Sequence, residues 1–240
     1  MAKDLENTMV DNNVYILTEI NNETTNGLLI KLTQWVDKLP LKNNLILPQK
    51  PEAKDITDDT CYIIGSNKSY KTYTPYEAVP ENIRVLNVWI NSGGGKDNIT
   101  QSVLSMFDIA SAKGAIIKTY NLRQACSNAS IIAVSGTPGY RYMAERAFNY
   151  IHFGNKNRQI SHENELGFAI ADLRHFVNEA KYLYLEKTKL TKKELNKYYN
   201  IEGSGTLSSR QCLEKGLCDW VITNDGRFVN NVAELKAKQR

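Results

Sequence analysis

A chain of 240 residues, 42% hydrophobic and 23% charged, suits one soluble α/β domain with a core that needs neither disulfides nor metal. Its formal net charge of +4 is mild, and Lys and Arg gather only from Lys236 to Arg240, so no basic face for nucleic acid is indicated. No apolar run approaches the ~18 residues that span a bilayer, Met1 to Glu6 has no apolar signal core, and Cys61, Cys126, Cys212 and Cys218 lack C-x-x-C spacing. Reduced thiols in a cytoplasmic setting are expected, with no membrane partner, no metal and no cofactor.

Residues 1–13 read as a polar arm. Val14 to Leu17 reads as a strand, and Asn22 as the N-cap of a helix with Glu23 in its first turn. Leu28, Leu29, Leu32, Trp35 and Val36 line one face of that helix until Pro40. The region 41–81 changes character, punctuated by Pro48, Pro51, Pro75 and Pro80. Within it, Cys61–Ile64 and Tyr70–Thr74 flank a Gly/Asn turn, which reads as an inserted hairpin too short for its own core.

The main domain, 14–226, resumes with a strand from Arg84 to Ile90 that feeds Gly93, Gly94 and Gly95. Helical spacing of Ile99, Val103, Met106, Phe107 and Ala110 follows over Asp97 to Ala112, ended by Gly114. Then come a strand at Ile116–Tyr120, a short buried helix at Ser127–Ser135 and a strand at Ala147–Phe153. A long helix spans Glu163 to Lys189, and Thr191 with Glu194 forms a capping box for the next. Leu207 to Lys215 reads as a short helix stopped by Gly216, Trp220–Ile222 as a last strand, and 227–240 as a polar basic tail. Alternating strands and helices predict an α/β fold of stacked parallel βαβ units.

Three features bear chemistry. A glycine turn between strand and helix frees backbone N–H groups to face a substrate, though most such turns are only turns. The spacing around Lys96 does not fit a phosphate loop. Ser127 opens a helix between the small residues Ala125 and Ala129, as an N-cap does or as a nucleophile does. His152 lies on an apolar strand, either as a core residue or as a general base within reach of Ser127. The run Gln124-Ala125-Cys126 starts like the caspase Q-A-C-x-G, but no histidine lies upstream of it. His162 and His175 read as surface residues.

In this order the features resemble the proteolytic subunit of the Clp protease, the ClpP family of the ClpP/crotonase fold. The family's I-N-S-P-G-G is similar to Ile90–Gly95, with Gly93 in place of the proline. Its A-A-S-M-G-S is similar to Ala125–Ser130, and its M-I-H-Q to Tyr150–Phe153. Its L-S/T-A-x-E-A-x-x-x-G-L-I/V-D is similar to Leu207–Asp219.

The resemblance implies a serine endopeptidase that cleaves polypeptides through an acyl-enzyme. Ser127 is then the nucleophile and His152 the base, and the amides of Gly94 and Asn128 form the oxyanion hole. The long helix becomes a handle helix between stacked rings, which implies self-association as a heptamer or double heptamer. The family's acid position is Ser204 here, with Glu202 a weak substitute two residues away. Loss of that acid costs roughly 10⁴ in rate in serine proteases. A Ser127–His152 dyad, a catalytically impaired structural subunit and an acyl-CoA enzyme on the same fold are the alternatives. Only Met1 to Asn13 precede the first strand, so an AAA+ unfoldase is a doubtful partner and a phage ClpP-like head-maturation protease fits.

Overall fold

The computed structural model describes residues 7–39, 83–152, 163–199 and 204–236. The inserted region at 41–81, Phe153, His162 and Glu202 lie outside the described residues.

The strands are β1 (Thr8–Val10), β2 (Asn13–Ile16), β3 (Val85–Ser92), β4 (Ile116–Cys126), β5 (Arg141–Ala144), β6 (Phe148–His152), β7 (Ser204–Ser208), β8 (Trp220–Ile222) and β9 (Phe228–Val229). The helices are α1 (Asn22–Asp37), α2 (Asp97–Ala112), α3 (Asn128–Val134), α4 (Glu163–Lys187), α5 (Lys192–Tyr198), α6 (Ser209–Glu214) and α7 (Val232–Lys236). The sheet runs β1-β2-β3-β4-β5-β8-β9, while β6 leaves this path to pair with β4 and β7. Pairings from β2 through β3, β4 and β5 to β8 are parallel, as the strand–helix alternation predicts.

Strict alternation along β3 turns Leu86, Val88 and Ile90 inward. They meet Leu28 and Leu32 of α1 and Val103 and Phe107 of α2 in one core. β4 is the fork in this sheet. Its middle, Thr119–Asn121, pairs with β5, and its end, Gln124–Cys126, pairs with β6. Asn121 fills the fork, donating through Nδ2 to Phe148 O at 3.0 Å and to Asn149 Oδ1 at 2.8 Å.

The boundaries differ from the sequence reading at both ends of the chain. Within the expected arm, Thr8–Val10 pairs antiparallel with β2. Asn7 is buried and anchors that strand, accepting from Leu17 N at 3.0 Å and donating to Glu19 O at 3.1 Å. The first N-cap is Asn21, one residue early, because its side chain and Thr24 form the capping box. β4 runs on to Cys126, and β5 was not anticipated, since Gly136–Gly139 hides a strand only four residues long. Leu207 lies in β7 instead of starting a helix: Ser208 ends that strand and caps α6 through a capping box with Gln211. The expected tail contains β9 and α7. The capping box at Thr191 and Glu194 and the positive φ of Gly216 match the sequence reading.

One largely buried ion pair ties β5, and the residue that precedes β8, to the long helix. Arg141 of β5 donates Nε to Asp219 Oδ2 at 2.9 Å and an η nitrogen to Oδ1 at 2.6 Å. Its other η nitrogen donates to Lys187 O, at the end of α4. Asp219 also accepts the amides of Gly139 and Arg141. Such a pair fixes geometry more than it adds stability, but removing one member strands a buried charge. Asp219→Ala is expected to cost about 3–5 kcal/mol in urea unfolding; a loss below about 1 kcal/mol would show that water reaches the orphaned guanidinium.

Candidate active site

Register places the serine beside the histidine strand. Cys126 pairs with Tyr150 across the parallel β4–β6 ladder. The next amide, Ser127 N, donates to Tyr150 O at 2.8 Å. His152 follows Tyr150 by two residues on the same half-buried face of β6, and the two rings stack at 5.1 Å. Ser127 and His152 line one cavity of about 370 Å³, together with Gly93–Gly95, Asn128, Glu19 and Asp97.

Ser127 sits at φ 52, ψ −125, between the last residue of β4 and the first of α3. A side chain rarely adopts this backbone, and the cost is of order 1–3 kcal/mol. The serine occupies the N-cap position of α3, yet its hydroxyl makes no capping bond. Capping therefore does not explain this serine. A strained turn from strand to helix, with a hydroxyl at its apex that is not spent on capping, resembles the arrangement of a nucleophile elbow. The amide of Asn128 is among the first-turn N–H groups that lack an acceptor within the helix.

The glycine turn fits against this elbow for a steric reason. A Cβ on Gly94 (φ 97) would stand 2.7 Å from Ser127 Cβ and 2.6 Å from Cys126 O. One on Gly95 (φ 154) would stand 2.0 Å from Ile20 O. Ile20 holds the outer edge of the turn, donating to Gly94 O at 2.8 Å and accepting from Lys96 N at 2.7 Å. The Gly94 amide differs from the expected free donor, because it donates to Ser92 Oγ at 3.1 Å. Among the described residues the Gly95 amide has no such acceptor.

The remaining lining is mixed. Leu173, Phe176 and Tyr184 of α4 and Tyr199 after α5 form its apolar wall. Buried Tyr184 donates its hydroxyl to Ser130 Oγ at 2.8 Å, which pins α4 to α3. Burial pushes the Tyr184 phenol well up, so it stays a neutral donor. Half-buried Cys126 has its thiol raised by burial too and is a poor nucleophile at neutral pH.

In the β6–β7 register His152 pairs with Ser204, the position read as that of the missing acid. Among the described residues no carboxylate forms an ion pair with His152. Glu202 lies outside the described residues, and His175 is a surface residue with Glu179 at 3.2 Å.

Sequence reading missed the Asn128 side chain, which donates to Gly95 O at 2.6 Å and to Asp97 Oδ1 at 2.9 Å. A polar residue directly after the serine, with an aspartate directly after the glycine turn and Lys96, was the available signal.

A family model described as Clp protease matches residues 77–225 of this chain. The ATP-dependent Clp protease proteolytic subunit of Mesostigma viride is 29% identical over 149 residues. That match spans 61% of this chain and 60% of the relative, less than two thirds of its length.

The strain at Ser127 is measurable. Ser127→Gly is expected to raise stability in urea unfolding by about 1 kcal/mol, the relief of the turn less the entropy of a glycine. An unchanged or lower midpoint would mean that the turn carries no strain.

Proposed function

Because the chain belongs to the Clp protease family, we propose that it is a serine endopeptidase acting through a Ser127–His152 dyad. The observation that carries this reading is the strained Ser127 turn, its hydroxyl unspent on capping, in one cavity with His152. Ser127 Oγ attacks the peptide carbonyl while His152 takes its proton. The tetrahedral oxyanion accepts the Asn128 amide and an amide of the glycine turn, that of Gly95 in preference to the occupied Gly94. His152 then passes the proton to the leaving amine, and water repeats the sequence on the acyl-enzyme to release the second product.

Self-association into a ring is part of the proposal. Leu166, Phe168, Ile170, Tyr182 and Leu185 leave large apolar side chains exposed on α4, and such apolar surface suits burial against further copies. A heptamer or a stacked pair of heptamers is the assembly that the family resemblance implies.

The register of Ser204 against His152 favours one second reading, a catalytically impaired subunit that only shapes such a ring. A fluorophosphonate separates the two. Labelling at Ser127 that disappears in Ser127→Ala and slows at least about a hundredfold in His152→Ala is expected of the peptidase. A folded native protein that takes up no label supports the silent subunit.

A further inference from the structure

We infer that Asn128 and Asp97 are positioning residues: the Asn128 side chain fastens the glycine turn to the serine elbow, and Asp97 holds that side chain in orientation. The inference rests on the serine peptidase reading above. It concerns how the two sides of the cavity keep their spacing.

Gly93, Gly94 and Gly95 have no side chains with which to hold themselves in place. Two of them adopt positive φ, so the turn's shape depends on bonds to its backbone. Ile20 supplies those bonds on the outer edge. On the edge facing the serine, the bond is Asn128 Nδ2 to Gly95 O, at 2.6 Å. The same nitrogen donates to Asp97 Oδ1 at 2.9 Å, so both protons of the amide are used.

That pairing also fixes which way the amide points. A flipped Asn128 would set its oxygen against a carbonyl oxygen and a carboxylate oxygen, both of which only accept. Asn128 is 2% exposed, so water does not compete for its two protons. The bond to an ionised acceptor is the stronger kind. One residue therefore contributes twice: its main chain borders Ser127, and its side chain grips the opposite turn. Spacing across the acyl site is then set by the few bonds between the Asn128 main chain and its Nδ2. A displacement of about 1 Å there is enough to cost about a hundredfold in rate.

The test uses the full chain and a fluorophosphonate, with labelling of Ser127 followed by intact mass and folding checked by circular dichroism. Asn128→Leu removes both donors at similar volume, Asp97→Ala removes the acceptor, and Asp97→Asn keeps an oxygen in place. Expected are labelling rates slowed about tenfold or more in Asn128→Leu and Asp97→Ala, with Asp97→Asn within about threefold of the native chain. With a fluorogenic peptide, the loss is expected in kcat with KM unchanged.

A folded Asn128→Leu that labels at the native rate overturns the inference and leaves the peptidase reading standing. So does Asp97→Asn as slow as Asp97→Ala, which would point to charge instead of orientation. If Asn128→Leu fails to fold, native-rate labelling of Asp97→Ala overturns the inference on its own. A native chain that does not label at all overturns both readings together.

Discussion

The fork in β4 is the constraint on which the site depends. An eleven-residue strand outlasts its neighbour β5, and its last three residues take a different partner, β6. Parallel pairing then carries Ser127 alongside the strand that holds His152, and the Ser127–Tyr150 bond closes the ladder at that point. Because a slip of one residue turns a strand's side chains to the opposite face, the pairing fixes which residues face the cavity as well as their order. Tyr150 and His152 share the half-buried face of β6, while Asn149 and Ile151 are buried on the other, and the strand reaches the cavity at its end, through Ile151 and His152.

Holding the elbow in its strained form requires surroundings that leave no relaxed alternative. Ala125 and Ala129, both fully buried, admit nothing larger beside the turn. Gly94 lies against it where no Cβ fits. Ser130, one turn along, is bonded to the phenol of Tyr184, and so the short helix α3 is pinned from the side of α4. Strain of a few kcal/mol at one residue is sustained because each neighbour is fixed by a separate element of the fold.

Much of this was legible in the sequence, and the reasons for the rest are physical. Periodicity located β3 and α2 because each buries one face of a regular element, and the Thr191 capping box is local chemistry. Ser127 and His152 were singled out by their neighbours in sequence, and both line one cavity. β5 escaped notice because four residues are too few for a period to show. The Arg141–Asp219 pair was invisible because its members are 78 positions apart and nothing local marks either one. The occupied amide of Gly94 was unforeseen for a related reason: whether a donor is free depends on where Ser92 turns its hydroxyl.

The long helix is fastened unevenly. At its C-terminal end the Lys187 carbonyl accepts from a buried guanidinium, and three residues earlier Tyr184 is bonded into the serine's helix. Toward the other end, Phe168 is 72% exposed and has no such anchor among the described residues. A helix of this length measures roughly 37 Å, so it behaves as a stiff cantilever clamped beside the short helix that follows Ser127. Any surface that grips its projecting half transmits torque to the clamp through the shaft itself, with no intervening loop to absorb it.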